Sequence, residues 1–232
     1  MLLTLPIREV VRATPRARIV QLDLDGRTFD YAAGQAVLVG AGNQRKRPYS
    51  IAGAPEDAIR SGYLELLVGV DTDGQAGTHL PLERGTPIDV EGPLGSFVFP
   101  AAPAETRFVF VAGGTGIAPL RAMLRHAIAG RAGSGRVGLF YSARTPDEFA
   151  FADEFRQLAS TGIIEFRQTI TRDTEQAWSG ARGRIDRETL ADLVHDSQTL
   201  CFVCGPAAMV DEVPKLLGEI GVERQRIRIE EW

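Results

Sequence analysis

The chain has 232 residues, of which 44% are hydrophobic and 24% charged, and its formal net charge at pH 7 is −4. This balance provides no basic field for nucleic acids or anionic membrane surfaces, and no window approaches the ~18 apolar residues of a membrane span. The length suits one large domain or two of about 100–130 residues. The amino-terminal residues lack the long apolar region of a signal peptide, so we expect a cytoplasmic protein.

The first hundred residues have the pattern of short β-strands. Alternating or β-branched runs are separated by turn sequences such as Asp25-Gly26, Ala33-Gly34 and Gly92-Pro93. Evenly spaced short strands without a helical period indicate a closed antiparallel barrel. The predicted strands cover residues 7–12, 17–24, 36–39, 63–70, 86–91 and 96–99.

The pattern changes after the Pro- and Ala-rich segment 100–106. Apolar strands then alternate with helical stretches, which is typical of a parallel sheet with crossover helices. We expect Pro214 to kink or interrupt the last helix. The predicted domains are therefore a β-barrel over residues 1–102 and an α/β domain over residues 103–232. The predicted strands are 107–112, 136–143, 163–171, 198–204 and 226–231, and the predicted helices are 119–129, 147–159, 186–194 and 207–220.

A glycine-rich turn follows the first strand of the second half. Gly113, Gly114 and Gly116, with Thr115 among them, allow a tight turn whose backbone can approach a diphosphate, and Pro119 suits the first turn of a helix. Gly114 and Gly116 match the dinucleotide-binding pattern, but Pro119 stands in place of its third glycine. Open α/β sheets bind ligands at this edge, which favours a nucleotide site over a turn without a ligand.

Arg47, Pro48, Tyr49 and Ser50 form the second candidate motif. An arginine can hold a phosphate through two hydrogen bonds, an aromatic side chain can cover a flat ring, and a hydroxyl can bond a heterocyclic nitrogen. Alone, these four residues are also explained by a strand with an exposed arginine. Their combination with the glycine-rich turn is the more specific pattern.

Together, these motifs resemble the ferredoxin–NADP reductase superfamily, and the resemblance runs over nearly the whole chain. It implies an antiparallel Greek-key barrel that binds FAD, followed by a parallel-sheet, Rossmann-like domain that binds NAD(P). In the family's R-x-Y-S motif, Arg47 would hold the FAD diphosphate, Tyr49 would pack against the isoalloxazine, and Ser50 would lie near its N5. Such an enzyme transfers a hydride from NAD(P)H to the flavin.

Two further barrel segments carry the same resemblance. Residues 74–78, which include Gly77 and Thr78, are similar to a loop-to-helix step that gives the diphosphate backbone and hydroxyl donors. Residues 92–97 resemble the closing G-P-x-G-x-F segment.

The carboxyl-terminal part adds the remaining candidate residues. Cys204, Gly205 and Pro206 resemble the family's C-G-P step, which places a cysteine beside the nicotinamide. Trp232 is similar to a terminal aromatic that covers the flavin and moves aside for hydride transfer, and Glu230 would lie close by. Alternatively, Cys204 is a buried small hydrophobe and Trp232 a frayed end.

Two arginines bear on the choice of coenzyme. By resemblance, Arg144 and Arg172 stand where NADP-using bacterial relatives hold the 2′-phosphate, which favours NADPH without excluding NADH. In an arginine-rich chain both are alternatively ordinary surface residues. The residues themselves do not distinguish an FAD site from an FMN site, and only the resemblance favours FAD.

The residues do not identify the electron acceptor. The chain has two cysteines, too few for an appended iron–sulfur domain, so the expected acceptor is a separate ferredoxin, flavodoxin or oxygenase component, free flavin, or a small molecule of the oxygen type. Basic docking rims are expected at Arg45, Lys46 and Arg47 or at Arg121, Arg125 and Arg131, although both are equally explained as solvated faces. The oligomeric state is not predicted.

Other classes of protein and site remain alternatives. The enzyme could be a free-flavin reductase, the chain a non-catalytic flavin-binding redox subunit, or the protein a dehydrogenase that uses no flavin. Cys201 and Cys204 form a CxxC within a strand, where residues three apart face opposite sides, so we predict no metal. The three histidines stand in unrelated contexts and are interpreted as structural: His79, His126 and His195.

Overall fold

The computed structural model describes residues 1–130, 136–172 and 178–231. Its first half is an antiparallel sheet of six strands in the order β4-β3-β6-β1-β2-β5. An antiparallel bridge between Ile51 and Leu66 joins the two edges, so the sheet closes as predicted. Because β6 returns beside β3 after the β3-β4-β5 run, the topology is a Greek key. The strands are β1 (Leu2–Thr14), β2 (Ala17–Asp23), β3 (Ala36–Gly40), β4 (Arg47–Ser50), β5 (Tyr63–Gly69) and β6 (Pro87–Leu94).

The barrel half departs from the predicted strands and helices at several points, and β4 (Arg47–Ser50) was not among the predicted strands. Helix α1 (Pro55–Ser61) was not predicted; it begins with Pro55 and with the Asp57 carboxylate bonded to the Ala54 amide. The strand predicted at 96–99 was wrong. Phe97 and Phe99 are buried, but they pack into the core of the second half, so their alternation reflects that contact and not pairing within a sheet.

The second half is a parallel sheet in the order β10-β9-β8-β7-β11-β12. The chain order reverses at β7, so β7 and β11 flank the position where such sheets bind ligands. The strands are β7 (Arg107–Gly113), β8 (Arg136–Ala143), β9 (Ile164–Ile170), β10 (Ala181–Arg182), β11 (Leu200–Gly205) and β12 (Ile227–Glu231). The helices are α2 (Ile117–Ala129), α3 (Ala152–Ser160), α4 (Arg187–Val194) and α5 (Ala207–Glu219).

Helices cover both faces of this sheet, which explains why β7 is buried along its length. Phe108 and Phe110 face the core formed with α2 and α3, whereas Val109 and Val111 face the core formed with α4 and α5. This alternation confirms the doubly wound α/β architecture.

Helix α5 is continuous over Ala207–Glu219, with Pro214 inside it. The interruption expected at Pro214 therefore does not occur. Val210, Val213 and Leu217 are buried against the sheet, and this packing offsets the cost of a proline inside a helix, about 3 kcal/mol.

The predicted domain boundary, between residues 102 and 103, falls in the segment that joins the two sheets. Among the helices of the described residues, none is long and apolar enough to cross a membrane.

Candidate functional site

A cleft of about 660 Å³ lies between the barrel and the parallel sheet. The barrel contributes Thr14, Arg16 and the 69–77 region, and the second half contributes the residues that follow β7, β8 and β11. Both sheets therefore line one ligand-sized space, at the carboxyl edge where open α/β sheets bind nucleotides.

The glycine-rich turn lines this cleft, and a glycine is favoured at each of its three positions for a different structural reason. Gly114 adopts φ +56°, and a Cβ there would meet nothing within 4 Å. A Cβ on Gly116 would lie 2.4 Å from the Cys204 carbonyl oxygen, and one on Gly113 would lie 2.8 Å from the Met209 sulfur. Gly114 thus shapes the turn toward the cleft, whereas Gly113 and Gly116 allow close packing on the β11–α5 turn.

Thr115 lies in the same turn and also lines the cleft. Helix α2 begins at Ile117, so Pro119 stands in its first turn, where a missing amide hydrogen costs no helical hydrogen bond.

Cys204 lies at the end of β11, beside Ala112 of β7 and Glu230 of β12. Its thiol is fully buried, and burial together with the Glu230 charge raises the pKa of Cys204 well above the ordinary thiol value. The thiol is therefore protonated and acts as a neutral group and not as a nucleophile. Gly205 and Pro206 follow, and Pro206 caps α5 and lines the cleft.

Tyr49 and Ser50 end β4, where Ser50 is 3% exposed and its hydroxyl has no hydrogen-bond partner among the described residues. The Tyr49 hydroxyl lies 2.8 Å from His79 Nε2, and the two rings are nearly parallel, with centroids 6.0 Å apart. Burial and the Arg47 charge lower the pKa of His79, so its imidazole is neutral at neutral pH. The sequence did not indicate this contact, because only the fold brings residues 49 and 79 together.

Arg47 and Pro48 are exposed on β4, and Gly77 and Thr78 are exposed in the loop after β5. The helix expected after Gly77 is absent: residues 78–80 form a turn, and Pro81 restricts the residue before it to extended backbone. Gly77 adopts φ +96° and lines the cleft, whereas the Thr78 hydroxyl lies 3.3 Å from Gln44 Oε1.

The residues present fit a flavin nucleotide. Ser50 offers a buried hydroxyl that lacks a partner among the described residues, beside an aromatic ring from Tyr49. Gly77 and Gly114 bring side-chain-free backbone to the cleft from opposite sheets.

Arg144, at the end of β8, is half-buried and lines the cleft. Arg172 is exposed and is not among the lining residues, but its amide donates to the Arg144 carbonyl at 2.8 Å. Two arginines that the sequence analysis missed also line the cleft. Arg16 lies 3.6 Å from Glu148, and Arg184 lies 3.3 Å from Glu212. No motif surrounds these two arginines, so only the fold could identify them.

Trp232 lies outside the described residues, so the predicted flavin cover stays a prediction. Arg131, one member of the second docking rim, also lies outside them. Arg121 and Arg125 do not form an exposed rim: Arg121 is 8% exposed, and both guanidinium groups are in ion pairs. That proposed docking surface is therefore wrong.

Cys201, His126 and His195 are not among the residues that line the cleft. Cys201 and Cys204 face opposite cores, and no metal-binding cluster occurs within residues 1–130, 136–172 and 178–231. His126 lies 2.8 Å from Glu56, and His195 lies 3.1 Å from Glu165.

Comparison with known proteins agrees with this architecture. Residues 4–99 match the family "Oxidoreductase FAD-binding domain", and residues 110–215 match "Oxidoreductase NAD-binding domain". Ferredoxin--NADP reductase B of Sorangium cellulosum (strain So ce56) is 35% identical over 223 residues, which cover 90% of this chain and 88% of that protein. NADH oxidoreductase HCR of Escherichia coli (strain K12) is 30% identical over 200 residues, covering 84% of this chain and 58% of that protein.

A solved structure, the Amycolatopsis cytochrome P450 reductase GcoB, superposes with a TM-score of 0.83 and 28% identity over 100% of this chain and 69% of that one. Several other curated relatives are longer, and the chain spans about half of their length. The chain belongs to the ferredoxin–NADP reductase family. It is an oxidoreductase with an FAD-binding domain followed by an NAD-binding domain.

Proposed function

We propose that this protein oxidises NADPH through bound FAD and passes the electrons to a separate acceptor protein. The cleft supports this proposal most directly, because the nucleotide turn at Gly113–Thr115 and the barrel loop at Gly77 line the same 660 Å³ space. Of the residues that would hold the flavin, Gly77 lines this space and the Arg47–Ser50 strand does not, so a nucleotide on the turn would lie beside the diphosphate-binding loop of the barrel.

Bound FAD supplies the hydride acceptor and the onward electron donor. Around it, Arg47, Gly77 and Thr78 would hold the diphosphate, and Pro48 would set the direction of β4. Tyr49 would cover the ring, and Ser50 would donate its free hydroxyl hydrogen to the flavin edge.

The α/β domain would position the nicotinamide. Gly114, Thr115 and the start of α2 would hold the coenzyme diphosphate, since backbone amides at a helix start favour anions. Cys204, Gly205 and Pro206 would form the floor of the site. Because Cys204 is protonated and adjacent to Glu230, we expect these two groups to orient the ring and relay a proton, without a covalent intermediate.

A preference for NADPH is supported by the position of Arg144 within the cleft. A guanidinium group can hold a 2′-phosphate through two charge-assisted hydrogen bonds. Arg172 is the second candidate, because its backbone is tied to that of Arg144.

The first experiment is an absorbance scan of the purified protein, followed by anaerobic addition of NADPH or NADH. We expect flavin absorbance that bleaches faster with NADPH. Faster bleaching with NADH would preserve the reductase but contradict the phosphate contacts. Absence of flavin after incubation with FAD would contradict the proposal.

For the acceptor, the exposed Arg45 beside the flavin-binding strand favours an acidic electron-carrier protein. Turnover with NADPH should be measured with a ferredoxin, a flavodoxin, an oxygenase component and free FMN in parallel. Saturation with one carrier protein, weakened by salt, is expected. A higher kcat/KM with free FMN than with every carrier would instead identify a free-flavin reductase.

A further inference from the structure

Arg121 of α2 reaches from the α/β domain into the closing seam of the barrel, where the chain after β4 meets β5 at the Ile51–Leu66 bridge. Its Nη1 donates to the Ala52 carbonyl at 2.8 Å and to Glu65 Oε1 at 2.6 Å. Ala52 and Glu65 face each other at that seam, where the Ala52 amide donates to the Glu65 carbonyl at 2.7 Å. One buried guanidinium group therefore bonds both β5 and the segment that follows β4, where the barrel closes.

The same guanidinium group is held from its other sides by the α/β domain. Its Nε donates to Glu154 Oε2 at 2.7 Å, and its carbon lies 4.1 Å from the centre of the Phe151 ring. Because arginine presents its donors in a rigid planar fork, these contacts together permit a single orientation. Arg121 thus acts as a rigid connection between the two domains.

This connection lies close to both halves of the proposed site. Arg121 stands five residues after Gly116, about 7.5 Å along the helix that begins at the nucleotide turn. Ala52 follows Ser50 by two residues, about 7 Å of extended chain. A displacement at Arg121 would therefore change the position of one site relative to the other.

We infer that Arg121 is a positioning residue, which sets the nicotinamide-binding turn against the flavin-binding strand at the distance that hydride transfer requires. This inference rests on the proposed function. Arg121 contacts neither the nucleotide turn at Gly114 nor the Ser50 hydroxyl. It affects their relative position through α2 and through its hydrogen bond to Ala52.

Arg125, one turn further along α2, provides the matched control. It also crosses the domain interface, with Nε 2.5 Å from Asp57 Oδ2 and Nη1 2.6 Å from Glu154 Oε1. Asp57 belongs to α1, not to the flavin-binding strand. Removing Arg125 therefore removes an interdomain ion pair without removing the connection to Ala52.

The test is rapid-mixing reduction of the FAD-loaded protein by NADPH, in wild type, R121Q, R121K and R125Q, with rates expressed per bound flavin. We expect R121Q to lower the limiting rate by about tenfold or more, within the hundredfold that a displacement of about 1 Å can cost, while R125Q changes it less than about twofold. The NADPH dissociation constant and the rate of reduction by dithionite should change little in all variants.

R121K separates geometry from charge, because one ammonium group cannot reach Ala52, Glu65 and Glu154 together. We expect NADPH to reduce the flavin of R121K slowly as well. If R121Q fails to retain FAD, the rate measured for R121K tests the inference. Wild-type rates in R121K and R121Q, or equal slowing in R125Q, would overturn the inference alone. If neither NADPH nor NADH reduces the flavin of the wild-type protein, the proposed function is overturned as well.

Discussion

Ser50 carries a buried hydroxyl that the described part of the chain leaves without a hydrogen bond. A buried polar group without a partner costs about 1–3 kcal/mol, a cost that a bound ligand atom can remove. We therefore expect a ligand atom to be the hydrogen-bond partner of the Ser50 hydroxyl.

For this reason, S50A should leave the free energy of unfolding of the FAD-free protein unchanged or higher. Flavin reduction by NADPH should slow about twofold to tenfold, as expected for a lost hydrogen bond of about 0.5–1.5 kcal/mol to a neutral group. Urea unfolding and rapid-mixing absorbance measure the two effects. The control is S61A, which removes a hydroxyl bonded to the Asp57 carbonyl at 2.6 Å and should not change the rate; wild-type reduction in S50A would contradict the proposed role.

Arg144 and Arg172 differ in position although their backbones are bonded. Arg144 lines the cleft and Arg172 is exposed outside its lining. R144Q should lower the kcat/KM ratio of NADPH to NADH about tenfold to a hundredfold, because a charged hydrogen bond to phosphate is worth about 1.5–3 kcal/mol. R172Q should have a smaller effect, and NADH turnover should stay constant in both; an unchanged ratio in R144Q would contradict a phosphate contact there.

At the scale of elements, the nucleotide turn and the β11–α5 turn pack backbone against backbone. They meet because β7 and β11 are parallel neighbours, so both turns emerge at the same edge. A Cβ at Gly205 would lie 3.1 Å from Gly113 Cα and 3.2 Å from its amide nitrogen, so a side chain there would crowd the opposite backbone. The glycine-rich turn is thus a packing element as well as a candidate ligand site.

Gly116 and Gly130 give a matched pair on α2, since both have negative φ. G116A places a Cβ 2.4 Å from the Cys204 carbonyl oxygen and should lower the free energy of unfolding by about 1–3 kcal/mol, the usual cost of overpacking. It should also raise KM for NADPH. G130A meets no atom closer than 3.5 Å and should be neutral or stabilising by about 0.4–1 kcal/mol; equal effects in urea unfolding would contradict the packing argument.

At the scale of the whole molecule, apolar and ionic contacts join the two sheets. Phe99 stacks on Phe202 with ring centres 5.7 Å apart, and Arg125 pairs with Asp57 across the interface. Burial acts to raise the pKa of Asp57, but hydrogen bonds and charge from Arg125 outweigh it, so the pKa lies below the ordinary 3.8. The ionised carboxylate therefore stabilises the folded state above about pH 4 and loses this effect in acid.

D57N should lower the free energy of unfolding by about 1–3 kcal/mol at neutral pH, because it leaves Arg125 with one carboxylate partner. The difference from wild type should shrink as pH falls below 3.8, where the unfolded carboxyl takes up a proton first. Urea unfolding across this range measures it. D153N is the control, since Asp153 is 99% exposed and should matter little at any pH; a constant D57N deficit in acid would contradict the assigned ionisation.

The candidate site was predictable where it rests on short motifs. Arg47–Ser50, Gly113–Gly116 and Cys204–Pro206 are each contiguous in sequence, and the fold brings the last two together at one sheet edge. Other features depend on residues far apart in the chain. They are the contact of His79 with Tyr49, the cleft positions of Arg16 and Arg184, and the burial of Arg121. No local pattern encodes such pairs, because they depend on how separate elements pack.

By itself, the sequence determined the alternation of strands and helices, the barrel followed by a parallel sheet, and the family, since periodicity and turn residues are local properties of the chain. Only the tertiary structure decided what Phe97 and Phe99 pack against, whether α5 continues through Pro214, and which arginines line the cleft. The physical reason is that burial depends on distant neighbours: the same arginine or proline is an exposed residue in one packing arrangement and an interdomain connection or a buried helical residue in another.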